Sequence, residues 1–129
     1  MKKIKLLFLV QTVFSFAQDF KTPYEKGNRN QTTTYEEMVK FYDDLDKNFE
    51  SISVVEKGKD DNGELIRVVI FDNSKKQNIP VIFINNGIHP GESDGIDATM
   101  MLIRDLALGK IKVPQNTKVA AIEAYNISG

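Results

Sequence analysis

Ile79-Pro80-Val81-Ile82-Phe83-Ile84 is an unbroken apolar run, and a polar loop from Asn85 to Ser93 follows it directly. A strand that does not alternate polar and apolar residues has no face to give to water. It is expected to be covered on both sides, in the middle of an α/β sheet. After the loop, Ile96, Met100, Ile103 and Ala107 recur at helical spacing, and Met101, Leu102 and Leu106 widen the stripe. A deeply packed helix is therefore expected from about 94 to 108, with Gly109 as its C-terminal cap and Pro114 in the connection beyond. Asp94 and Asp97 fall in its first turn, where acids favour the helix dipole. Residues 118–125 read as a further strand, interrupted by Glu123. That acid reads either as a solvent-facing residue or as drift in a chain under no selection.

The chain upstream completes the pattern. Thr34 with Glu37 three residues on makes a capping box, and Met38, Phe41, Tyr42, Leu45 and Phe49 follow on one helical face. Two strand-like runs, 51–57 and 65–71, flank Asp60-Asp61-Asn62-Gly63, a strong hairpin signal. Helix, hairpin, buried strand, helix, strand is an α/β order, a mixed β-sheet flanked by helices. Residues 18–33 are polar and turn-rich and read as an extended lead-in to the domain at 34–129.

The first seventeen residues read as an export signal rather than as part of the fold. Lys2, Lys3 and Lys5 give a basic start, 4–16 is mostly apolar, and Ser15-Phe16-Ala17 offers small residues for cleavage before Gln18. A secreted or bacterial periplasmic protein is expected. The absence of a cysteine at that point argues against a lipid anchor.

Composition excludes several chemistries. The chain of 129 residues is 41% hydrophobic and 27% charged, the balance of a folded domain. Its formal net charge of -1 gives no reason to expect a nucleic-acid partner. No segment is apolar for long enough to span a bilayer. With no cysteine, disulfides, thiolate zinc sites and cysteine nucleophiles are ruled out. No glycine-rich phosphate loop is present.

One histidine occurs, His89, and it lies in the loop between the apolar strand and the apolar helix. The carboxyl ends of strands are where ligand sites collect in open α/β sheets. Pro90-Gly91 forces a turn between His89 and Glu92, which could aim an imidazole nitrogen and a carboxylate at one point. Such donors suit zinc. By spacing alone, two polar residues on a solvent-facing Pro-Gly turn is the commoner reading.

The run Gly87-Ile88-His89-Pro90-Gly91-Glu92-Ser93-Asp94-Gly95 resembles the first zinc-ligand motif of the carboxypeptidase A-like zinc carboxypeptidases. The stretch from Tyr35 to Gly109 resembles the start of that family's domain. The resemblance implies a Zn2+ cofactor with His89 and Glu92 as two ligands, and a peptide substrate cut at its C-terminal bond. It further implies a third histidine ligand and a glutamate base that would lie beyond Gly129, so no catalytic residue is expected within 1–129, a truncated form of the fold. Asn126-Ile127-Ser128-Gly129 matches the family's Asn-Pro-Asp-Gly only in part, and Pro90-Gly91 stands where some relatives carry a substrate-binding arginine. Two other readings stay open: a zinc-dependent deacylase of N-acyl amino acids, against which Pro90 counts, and a non-catalytic pseudoenzyme or binding domain. Oligomeric state is not legible.

Overall fold

The computed structural model describes residues 19–74 and 76–127. The expected export signal lies outside them. The described chain begins with a single helical turn, α1 (Pro23–Lys26), and continues with the longer helix α2 (Tyr35–Asn48). Both start in the same way. Thr22 and Thr34 each accept the backbone N–H of a glutamate three residues on, and that glutamate's carboxylate returns to the cap's own N–H. Two orphan donors are satisfied each time. The signal for α1, Thr22-Pro23-x-Glu25, stands in the sequence of the expected extended lead-in, and proline at the first helical position favours the turn.

Strands β1 (Ile52–Lys59) and β2 (Leu65–Phe71) form the expected antiparallel hairpin, with Ile52 opposite Phe71 and Val55 opposite Val68. Its turn is closed by Asp60, whose Oδ1 accepts from Asn62 N at 3.0 Å and Glu64 N at 2.8 Å. Gly63 takes a φ of +91° there, which side chains resist. Next come β3 (Val81–Asn85), α3 (Ser93–Ala107) and β4 (Lys118–Ile122). The sheet runs β1-β2-β4-β3, with β4 antiparallel to β2 and parallel to β3. The parallel pair is joined through α3, as a βαβ unit requires.

Helices α2 and α3 pack on each other and on the sheet. Met38, Tyr42, Leu45, Val69, Met100, Ile103 and Ala121 are almost wholly buried between them. A buried aliphatic side chain of this kind stabilises by about 1.5–3 kcal/mol. The lead-in closes over the outer side of α3. Arg104 binds the carboxylate of Glu25 and donates to Phe20 O at 3.2 Å, while Asp97 accepts from Thr32 Oγ1 at 2.6 Å and Thr33 N at 3.2 Å. The first turn of α3 holds Asp94 but not Asp97, which is a buried tie to the lead-in rather than a dipole partner.

The apolar run forms the expected strand but lies at an open edge of the sheet. Among the described residues β3 is an edge strand, paired only with β4. Val81, Ile82 and Phe83 are 53%, 48% and 59% exposed. Successive side chains point to opposite faces, so three exposed neighbours mean that both faces of β3 are open. Hydrophobicity marked the run as a strand, but cover comes from neighbours that a run of residues does not encode.

Candidate metal-binding loop

The chain leaves β3 at Asn85, beside Ile122 at the end of β4, and reaches α3 at Ser93. Asn86, the first residue of this loop, is buried. Its Nδ2 donates to Ile122 O at 3.0 Å, and its Oδ1 accepts from Thr99 Oγ1 of α3 at 3.1 Å. Its own carbonyl accepts from Tyr125 N at 2.9 Å, and that of Gly87 from Asn126 N at 2.9 Å. The loop is thereby stitched to the exit of β4. Gly87 then turns with φ +59°, and Gly91 does so again at +79°. Both values are cheap only for glycine.

Between these turns stand the two residues singled out by the sequence. His89 Nδ1 lies 2.7 Å from Glu92 Oε1, and His89 N donates to Glu92 Oε2 at 3.2 Å. Glu92 occupies the N-cap position of α3 but makes no side-chain cap bond. Its carboxylate turns back toward the histidine instead. Hydrogen bonds from the His89 side chain and backbone hold the Glu92 carboxyl below its usual pKa. Both side chains are open to solvent, 71% and 51% exposed.

The donor set fits zinc in type, one imidazole nitrogen and one carboxylate. Two donors on one tetrahedral ion stand about 3.3 Å apart, given bonds of about 2.0–2.1 Å. The present 2.7 Å is a hydrogen-bond distance, so a shared ion requires these exposed side chains to part by about half an ångström. Among the described residues no group of three histidine, cysteine or acidic side chains converges here or elsewhere.

The structure corrects the reading of Glu123. It faces neither solvent nor a random environment: it is 1% exposed, just past the end of β4. Its Oε2 accepts from Arg67 Nε at 2.9 Å, and Arg67 Nη2 reaches Asp43 Oδ1 on α2 at 2.5 Å. Glu123 N also donates to Arg67 O at 3.0 Å. Burial pushes the Glu123 carboxyl up to about 7, against the opposing pull of Arg67. Glu123 Oε1 and the Tyr42 hydroxyl are buried with no hydrogen-bond partner among the described residues. The sequence signal is one arginine inside an apolar strand and one glutamate directly after another, candidates for each other. Neither touches His89 or Glu92.

No protein-family profile matches the chain, and no curated sequence does. Solved structures do. A carboxypeptidase A from Helicoverpa armigera superposes with a TM-score of 0.68 at 24% identity, over 77% of this chain and 25% of its own. Bovine thrombin-activatable fibrinolysis inhibitor, in complex with tick carboxypeptidase inhibitor, gives 0.64 at 15% identity, over 75% of this chain and 32% of its own. Another structure of thrombin-activatable fibrinolysis inhibitor gives 0.67 at 12% identity, over 75% and 26%. The mixed sheet with its flanking helices is that of the N-terminal part of the carboxypeptidase fold. The chain spans a quarter to a third of the length of these structures.

Proposed function

We propose that this chain supplies two zinc ligands, His89 and Glu92, to an exported metallocarboxypeptidase that hydrolyses C-terminal peptide bonds. The observation that carries the reading is the seating of an imidazole and a carboxylate side by side at the carboxyl end of a parallel strand. Likeness of fold to carboxypeptidases supports it. When bound, zinc would polarise the scissile carbonyl and lower the pKa of a water. The chain's own part is orientation. Gly87 and Gly91 set the two turns of the loop, and Asn86 ties it to β4 and α3. The Glu92 carboxylate, held ionised by its bonds from His89, offers an anionic oxygen to a cation. A third ligand and a general base belong to the same proposal; among the described residues no group of three candidate donors converges. Export by way of the basic and apolar residues 1–17 completes it.

Calorimetric titration of the whole chain with zinc chloride tests the ligand pair. One ion should bind, and His89→Ala and Glu92→Gln should each weaken it at least tenfold. Zinc bound equally well by His89→Ala would overturn the assignment. No binding by any form would favour the non-catalytic reading.

A further inference from the structure

We infer that Asn86, seated on Thr99, is the positioning residue that fixes the His89–Glu92 loop. This rests on the metal-ligand reading for its functional meaning, but not for its geometry. Asn86 is 5% exposed and Thr99 4%. Both polar atoms of the amide are used, the nitrogen on the last residue of β4 and the oxygen on the second turn of α3. The side chain therefore joins the helix that the loop enters to β4, the strand paired with the one that the loop leaves. A buried amide that loses one partner exposes no replacement to water and carries the full desolvation penalty.

The seat is also built from the other side. A Cβ on Gly95 would lie 3.2 Å from Asn86 Oδ1, tighter than ordinary contact. Glycine inside a helix is unfavourable. Here it clears the space that the amide oxygen occupies. Immediately after Asn86 the chain turns at Gly87, where a Cβ would meet Ile96 Cδ1 at 3.4 Å. Asn86 is thus the last side chain anchored in the core before the His89 turn begins. His89 and Glu92 are hydrogen-bonded to each other, so their joint placement follows the loop's root.

The measurement is amide order of residues 87–92 in the isotopically labelled whole chain, compared with Asn86→Ala, Thr99→Val and Thr99→Ser. In the unaltered chain the His89 amide should be rigid, with an order parameter near about 0.85. It should fall below about 0.6 in Asn86→Ala and Thr99→Val while core amides such as Val69 and Ile103 keep theirs. Thr99→Ser keeps the hydroxyl donor and should restore rigidity. If Asn86→Ala fails to fold, the near-isosteric Val and Ser pair at position 99 decides alone. Unchanged loop order in Thr99→Val, or equal loss in Val and Ser, overturns the inference. Zinc affinity is the second readout, expected to drop about 10- to 100-fold in Thr99→Val, as is usual for groups that orient a ligand. If the unaltered chain binds no zinc, the ligand reading fails while loop order still decides the positioning role.

Discussion

Glu123 is the residue whose environment departs furthest from what its type suggests. Its carboxyl, ordinarily near 4.5, is pushed up to about 7 because burial penalises the charge more than Arg67 repays it. The folded chain therefore holds this proton more tightly than the unfolded one. For this group stability is full below about pH 4.5, drains as pH rises toward 7, and is lost above it. The range corresponds to roughly 3 kcal/mol as an upper bound. Glu123→Gln should flatten the decline between pH 4.5 and 7 in urea-unfolding midpoints, and should be at least as stable as the unaltered chain at pH 8. A decline of unchanged slope in the variant would contradict the assignment. Asp72 acts in the opposite sense. Its hydrogen bond from Lys118 holds its carboxyl down to about 2, so its contribution is present above the ordinary 3.8 and lost as pH falls through 2. Asp72→Asn should shrink the acid limb of the same curve.

At the scale of elements, two capping boxes set where α1 and α2 begin, and one buried tie holds the lead-in to α3. Thr34→Ala removes the acceptor for Glu37 N and should cost about 1 kcal/mol in unfolding free energy. The reciprocal bond, from the backbone N–H of residue 34 to Glu37 Oε2, does not need the hydroxyl. The lead-in depends on α3 rather than on its own propensity. One helical turn, Pro23–Lys26, is far too short to persist alone. Asp97→Ala removes the acceptor for Thr32 and Thr33, and hydrogen exchange at the Thr33 amide should quicken well before that of the α2 interior. Equal protection at Thr33 in both forms would show that the lead-in is held elsewhere.

For the molecule as a whole, the open edge at β3 has the larger consequence. An exposed apolar edge is a template for pairing with another chain. Association should rise with concentration, and Phe83→Lys should shift the chain toward monomer in light scattering, because a charge blunts an edge. Equal association by both forms would place the contact away from β3. Activity is predicted at this scale too. A catalytic zinc ordinarily has three protein ligands, and the proposed set among the described residues has two, His89 and Glu92. The chain by itself should therefore release no C-terminal residue from peptides in the presence of zinc. Zinc-dependent release, abolished by His89→Ala, would refute that.

The sequence by itself determined what depends on near neighbours. The Thr34 and Glu37 cap, the Asn-Gly hairpin and the apolar stripe of α3 rest on turns and periodicities of a few residues, and the structure contains each. The His89–Glu92 pair belongs here too, since three residues and a Pro-Gly turn suffice to bring the side chains together. Tertiary structure decided what depends on distant partners. Glu123 needs Arg67, 56 residues away, before its burial makes sense, and Asp97 needs Thr32, 65 away. Cover on β3 was likewise a matter of which strand lies alongside, and a continuous apolar run reads the same at an edge as in the middle. The role of the Asn86 amide is not legible in the sequence, because its hydrogen-bond partners on β4 and α3 become neighbours only when the sheet and the helix close around it. Local interactions are encoded by spacing along the chain, whereas burial and pairing are properties of the packed whole.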